Sequence, residues 1–150
     1  MKSLIVHSSK SGNTKKLAQA IQAFLPGESI SKSVEETPDP TGFDFICVGF
    51  WFQAGKADSK ATAFLQGLDC KSPLFLYATH GAAADSDDAG HGMKLAAELV
   101  SSNTVVGTFS CQGAVDSGLL AKAQTMNPPP PWINDAPQAA GHPDDADIRR

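Results

Sequence analysis

Between residues 7 and 14 the chain reads HSSKSGNT, crowding Ser8, Ser9, Ser11, Asn13 and Thr14 around a single glycine, Gly12. Three apolar residues, Leu4, Ile5 and Val6, precede this stretch, and Leu17, Ile21, Phe24 and Leu25 follow it at helical spacing. A loop between a strand and a helix places its backbone N–H groups at the helix N-terminus. There, unpaired donors and the positive end of the helix dipole attract an anion. Gly12 lets the backbone approach closely, and the side chains add neutral donors. Ser, Thr and Asn are also ordinary helix caps, but one cap satisfies a helix start and five polar residues exceed that need. The chemistry that suits such a loop is the holding of a phosphate monoester.

What can supply positive charge at that loop is narrow. Arginine occurs only at positions 149 and 150, so no guanidinium fork within the fold is at hand to grip a phosphate. Hydroxyls, backbone amides and Lys10 remain. Reactive motifs are missing as well. No Walker loop GxxxxGK[ST] and no GxSxG elbow occurs, and GHGMKLA at 90–96 departs from the dinucleotide fingerprint at Leu95. A cysteine phosphatase loop would need an arginine after its cysteine. A magnesium-binding receiver site would need carboxylates where His7 and Ser8 stand. The loop is a holding site, not a reacting one.

The elements that must position it follow from hydropathy. Strands are expected at 3–6, 43–50, 73–79 and 104–111, with a weaker one at ESISKSV and a turn-rich loop at 35–42. Helices are marked by Leu17 to Leu25, by Ala61, Phe64, Leu65 and Leu68, and by Met93, Ala96, Ala97 and Val100. A fourth is marked by Leu119, Leu120 and Ala123. Strands alternating with helices five times over imply right-handed crossovers and a parallel sheet covered on both faces. Ligands of such sheets bind beyond the carboxyl ends of the strands, which selects the loops at 8–14, 50–58 and 79–92.

With 150 residues the chain is long enough for one domain and one hydrophobic core. A net charge of −4 argues against non-specific binding to nucleic acid or an anionic membrane surface. No apolar run is long enough to span a bilayer. Cys47, Cys70 and Cys111 are widely spaced and form no CxxC pair, which suits idle thiols in a reducing compartment. A cytoplasmic location is expected.

SSKSGNT on the first strand-to-helix turn resembles the phosphate loop of flavodoxins, usually [ST]-x-[ST]-G-x-T. Ser9, Ser11, Gly12, Asn13 and Thr14 match it position by position. The order of elements, the length and GFWFQAGKAD at 49–58 are similar to short-chain members of the flavodoxin-like family, over roughly residues 1–125. The resemblance implies a flavodoxin-like three-layer α/β/α sandwich with a five-stranded parallel sheet ordered 2-1-3-4-5. It further implies non-covalent binding of FMN and a role in electron transfer. Residues 1–126 would form the FMN-binding domain. Residues 127–150 would be a proline-rich C-terminal segment of the same domain with a short or incomplete last helix.

On this resemblance Ser8 to Thr14, Lys10 included, hold the phosphate. Phe50, Trp51 and Phe52 lie beside the flavin ring, with Trp51 as the stacking residue and Phe50 or Phe52 behind it, since aromatic faces stack on a planar ring system. Alternate members of that run would instead close the core. The resemblance gives Gly55 the peptide that flavodoxins turn over to hydrogen-bond flavin N5 on one-electron reduction. Thr79, His80, Gly81 and Ala82 would reach the pyrimidine edge. His80 is either a small lid where many flavodoxins carry a tyrosine or an ordinary loop histidine.

Asp85, Asp87 and Asp88 lack the spacing of a calcium loop and read as a solvated acidic rim facing redox partners. His91 and His142 have no partner pattern. Pro128 to Pro131 favour an extended connector, Trp132 and Ile133 could replace a last-helix contact, and HPDDADIRR has helix-start character with Pro143 in the first turn.

The expected function is a monomeric FMN-binding carrier that exchanges electrons with transient redox partner proteins, rather than a stand-alone oxidoreductase. Two alternatives stay open. One is an FMN-dependent NAD(P)H or quinone reductase. The other is a flavodoxin-like interaction module without cofactor.

Overall fold

Leu4–Val6 and Ile46–Val48 are unbroken apolar runs because their strands sit in the middle of a sheet with both faces covered. The computed structural model describes residues 1–81, 86–113, 125, 141–144, 146 and 147. In chain order it contains β1 (Lys2–His7), α1 (Asn13–Phe24), β2 (Glu28–Ser33), a single 3-10 turn (Val34–Glu36) and β3 (Phe45–Gln53). There follow β4 (Lys56–Ala57), α2 (Ser59–Gln66), β5 (Leu74–His80), α3 (Asp87–Leu99) and β6 (Val105–Gln112). Five strands run parallel in the order β2-β1-β3-β5-β6, and β4 is a two-residue strand folded back antiparallel on the end of β3. Setting β4 aside, the parallel order is the expected 2-1-3-4-5.

The strict alternation of strand and helix fails once. The crossover from β2 to β3 holds only the 3-10 turn, in which the Ser33 hydroxyl and the Glu36 side chain cap each other's backbone. Its sequence, turn-rich from residue 35, cannot sustain a longer helix. β2 is an edge strand whose residues alternate between exposed and half-buried, which is why its polar ESISKS gives a weak signal.

Side chains leave the two sheet faces alternately. One face packs Leu4, Val6, Val48, Phe50 and Leu76 with Ala61 and Leu65 of α2 and Met93 and Ala96 of α3. The other packs Ile5, Cys47, Tyr77 and Cys111 with Leu17 and Ala18 of α1. Phe24, expected on the buried stripe of α1, ends that helix 77% exposed. Tyr77 lies fully buried across the α1 face and its hydroxyl donates to the Val6 carbonyl at 2.8 Å. The crossing is open because residue 49 is glycine, where a Cβ would stand 2.1 Å from the Tyr77 ring.

Among the described residues, no helix is long and apolar enough to cross a membrane. The fourth helix expected at Leu119, Leu120 and Ala123 lies outside the described residues, as do Pro128 to Pro131, Trp132 and Ile133. At the C-terminal end two expectations need correction. His142 does have a partner, Asp147, with Nδ1 2.5 Å from its carboxylate. The helical start at residues 146 and 147 is capped by Asp144, which trades hydrogen bonds with Asp147, and Pro143 stands before it. The carbonyl of Pro143 accepts from the Lys16 ammonium, which ties this end to α1.

Candidate functional site

The first crossover turn delivers α1 with Gly12 at its N-cap, at φ 93° in the left-handed region that glycine adopts without strain. Gly12 brings no side chain to cap the opening amides of the helix, and the space beyond it is open. Lys10, Ser11 and Gly12 are exposed, and Ser9 and Asn13 are half-buried. Ser9 accepts the Gly12 amide on its hydroxyl at 3.0 Å, which folds the turn on itself. The turn therefore offers helix-terminal amides, the Ser11 hydroxyl and the Lys10 ammonium toward solvent. That donor set fits a phosphate monoester.

The seven residues of the loop divide into two roles. Ser8 is buried and donates to the Asp58 carboxylate at 2.6 Å. Thr14 is buried, and its hydroxyl pairs with that of Thr79 at 3.0 Å. Both hydroxyls brace the turn, Ser8 against the start of α2 and Thr14 against β5, which leaves the centre of the stretch to face solvent.

The aromatic run divides by strand alternation. Phe50 is completely buried and stacks on Phe52 at 6.2 Å between centroids, on the face packed by α2 and α3. Phe52 meets the His80 ring at 5.0 Å, and His80 is only 5% exposed. His80 is thus part of the wall around Phe52 and not a loop side chain in solvent. Trp51 alone of the three points to the α1 face, paired across the ladder with Thr79. Its ring is half-buried, and the Lys10 ammonium stands 5.6 Å over it. Trp51, Lys10, Gly12 and the Thr14–Thr79 pair therefore share one corner of the molecule.

Gly55 lies with Ala54 in the two-residue turn of the β3–β4 hairpin, both at positive φ. Gly81 follows β5 at the same sheet edge and is half-buried, while Ala82 and Asp85 lie outside the described residues. Asp87 and Asp88 are exposed in the first turn of α3, whose cap is Ser86, and there they complement the helix dipole. His91 is exposed on the same helix.

Two contributors escape motif reading. Asp58 is 1% exposed and accepts from Ser8, from the Trp51 amide at 3.3 Å and from the Ala61 amide at 3.2 Å. Its place before Ser59 marks it as the cap of α2, but its link to Ser8, fifty positions away, has no local signal. Gly113, just after β6, lies against Asn13 and Thr79, where a Cβ would come within 2.8 Å of the Asn13 amide.

Comparison with known proteins matches this architecture. A family model described as the flavodoxin domain matches residues 4–150. The chain belongs to the flavodoxin-domain family. The flavodoxin-like domain-containing protein BilS of Clostridioides difficile (strain CD3) is 30% identical over 163 residues, covering 99% of this chain and 90% of that protein. Among solved structures, a flavoprotein in complex with FMN from Lactobacillus acidophilus NCFM superposes with a TM-score of 0.59 at 17% identity. The match covers 73% of this chain and 92% of that one. An NADH:FMN oxidoreductase in its apo form superposes with a TM-score of 0.56 at 16% identity, covering 92% and 87%. These similarities establish the flavodoxin fold for the chain.

Proposed function

We propose that this flavodoxin domain binds FMN without a covalent link and serves as an electron carrier between redox partner proteins. The observation that carries the reading is the uncapped start of α1 at Gly12, opening beside Trp51 at the carboxyl edge of the sheet. In this reading the amides after Gly12, the Ser11 hydroxyl and the Lys10 ammonium hold the phosphate. Trp51 flanks the ring, and the β3–β4 turn with Gly55 and the segment at Thr79 and Gly81 line its edges. Ala82, outside the described residues, belongs to the same expected segment. FMN when bound supplies one- and two-electron redox chemistry, and the protein sets its potential and access.

This chain's own residues do the remaining work. Trp51 excludes water from one side of the site, and Lys10 of the phosphate loop holds its ammonium over that indole. The net charge of −4, with Asp87 and Asp88 exposed at the start of α3, steers the docking of basic partners. Docking of this kind is brief and needs only a small interface, so a monomer suffices.

A reductase is the second reading, supported by the likeness to the NADH:FMN oxidoreductase fold. Titration of purified protein with FMN tests the main reading: the flavin's fluorescence should fall and its absorption bands sharpen. Flavin fluorescence left unquenched would end it. Stopped-flow mixing with NADPH separates the two, because a carrier is not reduced directly at a useful rate.

A further inference from the structure

Ser8 follows β1 and Trp51 lies near the end of the neighbouring strand β3, yet one carboxylate engages both. Oδ2 of Asp58 accepts the Ser8 hydroxyl at 2.6 Å and the Ala61 amide at 3.2 Å, and Oδ1 accepts the Trp51 amide at 3.3 Å. The Asp58 amide in turn donates to the Trp51 carbonyl at 3.0 Å. Capping α2 needs only the bond to Ala61, and a serine would make it. A carboxylate buried to 1% exposure is costly to place, and every donor it gathers beyond that cap ties a ligand-facing loop.

We infer that Asp58 is a positioning residue: it clamps the start of the phosphate loop to the ring-side strand end, so that phosphate and ring are held in fixed register. The inference rests on the FMN reading for its ligand and on the hydrogen bonds alone for the clamp. Asp58 touches no ligand itself. It acts through Ser8 on one side and through the Trp51 peptide on the other.

Three variants separate the clamp from the cap. Asp58→Ser keeps a hydroxyl for the Ala61 amide but is too short to hold Ser8 and Trp51 together. Ser8→Ala cuts the phosphate-loop side alone. The third combines both changes. Melting temperatures and circular dichroism identify the variants that remain folded, and FMN and riboflavin are titrated against each.

Ser8→Ala should weaken FMN about tenfold, equivalent to about 1.4 kcal/mol, and leave riboflavin, which lacks the phosphate, within about twofold. Asp58→Ser should weaken both ligands. The double variant should bind FMN no more weakly than Asp58→Ser alone, because the Ser8 contribution passes through Asp58. Losses that simply add, or an Asp58→Ser protein that holds riboflavin like the wild type, would overturn the clamp.

A ligand-free arm keeps the two readings apart. Hydrogen exchange at the Trp51 amide should quicken in Ser8→Ala, and an unchanged rate counts against the clamp whatever binds. Wild-type protein that ignores FMN and riboflavin while Trp51 exchange still responds to Ser8→Ala would defeat the FMN reading and leave the clamp standing.

Discussion

His7 closes β1 with its ring 9% exposed and with Nδ1 lacking a hydrogen-bond partner among the described residues. Charging that imidazole would bury a cation, so burial holds its pKa below the ordinary 6.5. The nearby Lys15 adds to the shift and Glu36 partly opposes it. The unfolded chain therefore takes up a proton at a pH where the folded one does not. Stability from this group is complete above pH 6.5 and falls as the solution is acidified below it. Urea unfolding of the wild type and of His7→Gln between pH 7.5 and 5 should show the variant losing less stability with acid; parallel curves would disprove the assignment. Lys10 makes a ligand-side prediction. Lys10→Ala should weaken FMN roughly five- to tenfold, about 1 kcal/mol, and leave riboflavin nearly unchanged, since the ammonium is exposed and its pairing is screened. At this scale the sequence marked a polar loop but not what each of its side chains does. Ser8 and Thr14 belong to the expected phosphate loop, yet their hydroxyls face Asp58 and Thr79. Those partners, Asp58 at the start of α2 and Thr79 in β5, lie far along the chain, and no local pattern encodes them.

The β3–β4 hairpin shows how an element can be present without a readable pattern. Two residues in β4 are too few for alternation to register, and FWFQAG reads as an aromatic loop. The turn itself is costly, because Ala54 carries φ 54° with a Cβ. Ala54→Asn, suited to a two-residue turn before glycine, should stabilise the protein by about 1 kcal/mol and raise its melting temperature by about 2–4 °C. A lowered melting temperature would mean that the turn is not strained as described. The strong strands were legible for the opposite reason. β1, β3 and β5 are covered on both faces, so their apolar runs are continuous and hard to misread. β2 and the 3-10 turn after it lie at the edge, where half-exposure admits polar residues and weakens the signal.

Across the whole molecule the parallel order follows from the crossovers, and the resemblance carried by the first loop and the order of elements predicted it. Packing on the α1 face was less legible, because it includes a long-range contact that no periodicity reports. Tyr77 spans from β5 over Gly49 to the Val6 carbonyl on β1, next to the fully buried Cys47. Burial pushes the Cys47 thiol up to about 12 from 9.0, and it raises the Tyr77 phenol well above 10.0, with Cys47 adding to that shift. Both folded values exceed the unfolded ones, so the stability they contribute is complete below pH 9 and is lost as pH rises above it. Once both groups ionise in the unfolded chain, each should steepen the loss by up to about 1.4 kcal/mol per pH unit. Tyr77→Phe should be about 1 kcal/mol less stable at pH 7, for want of the bond to Val6, but should lose stability less steeply above pH 10. Cys47→Ala should flatten the curve from pH 9, at the expense of a small cavity. Denaturant unfolding of the three proteins from pH 7 to 11 measures both slopes. Equal slopes in wild type and variants would show that the α1 face opens before either group titrates, and that Tyr77 does not hold the sheet together.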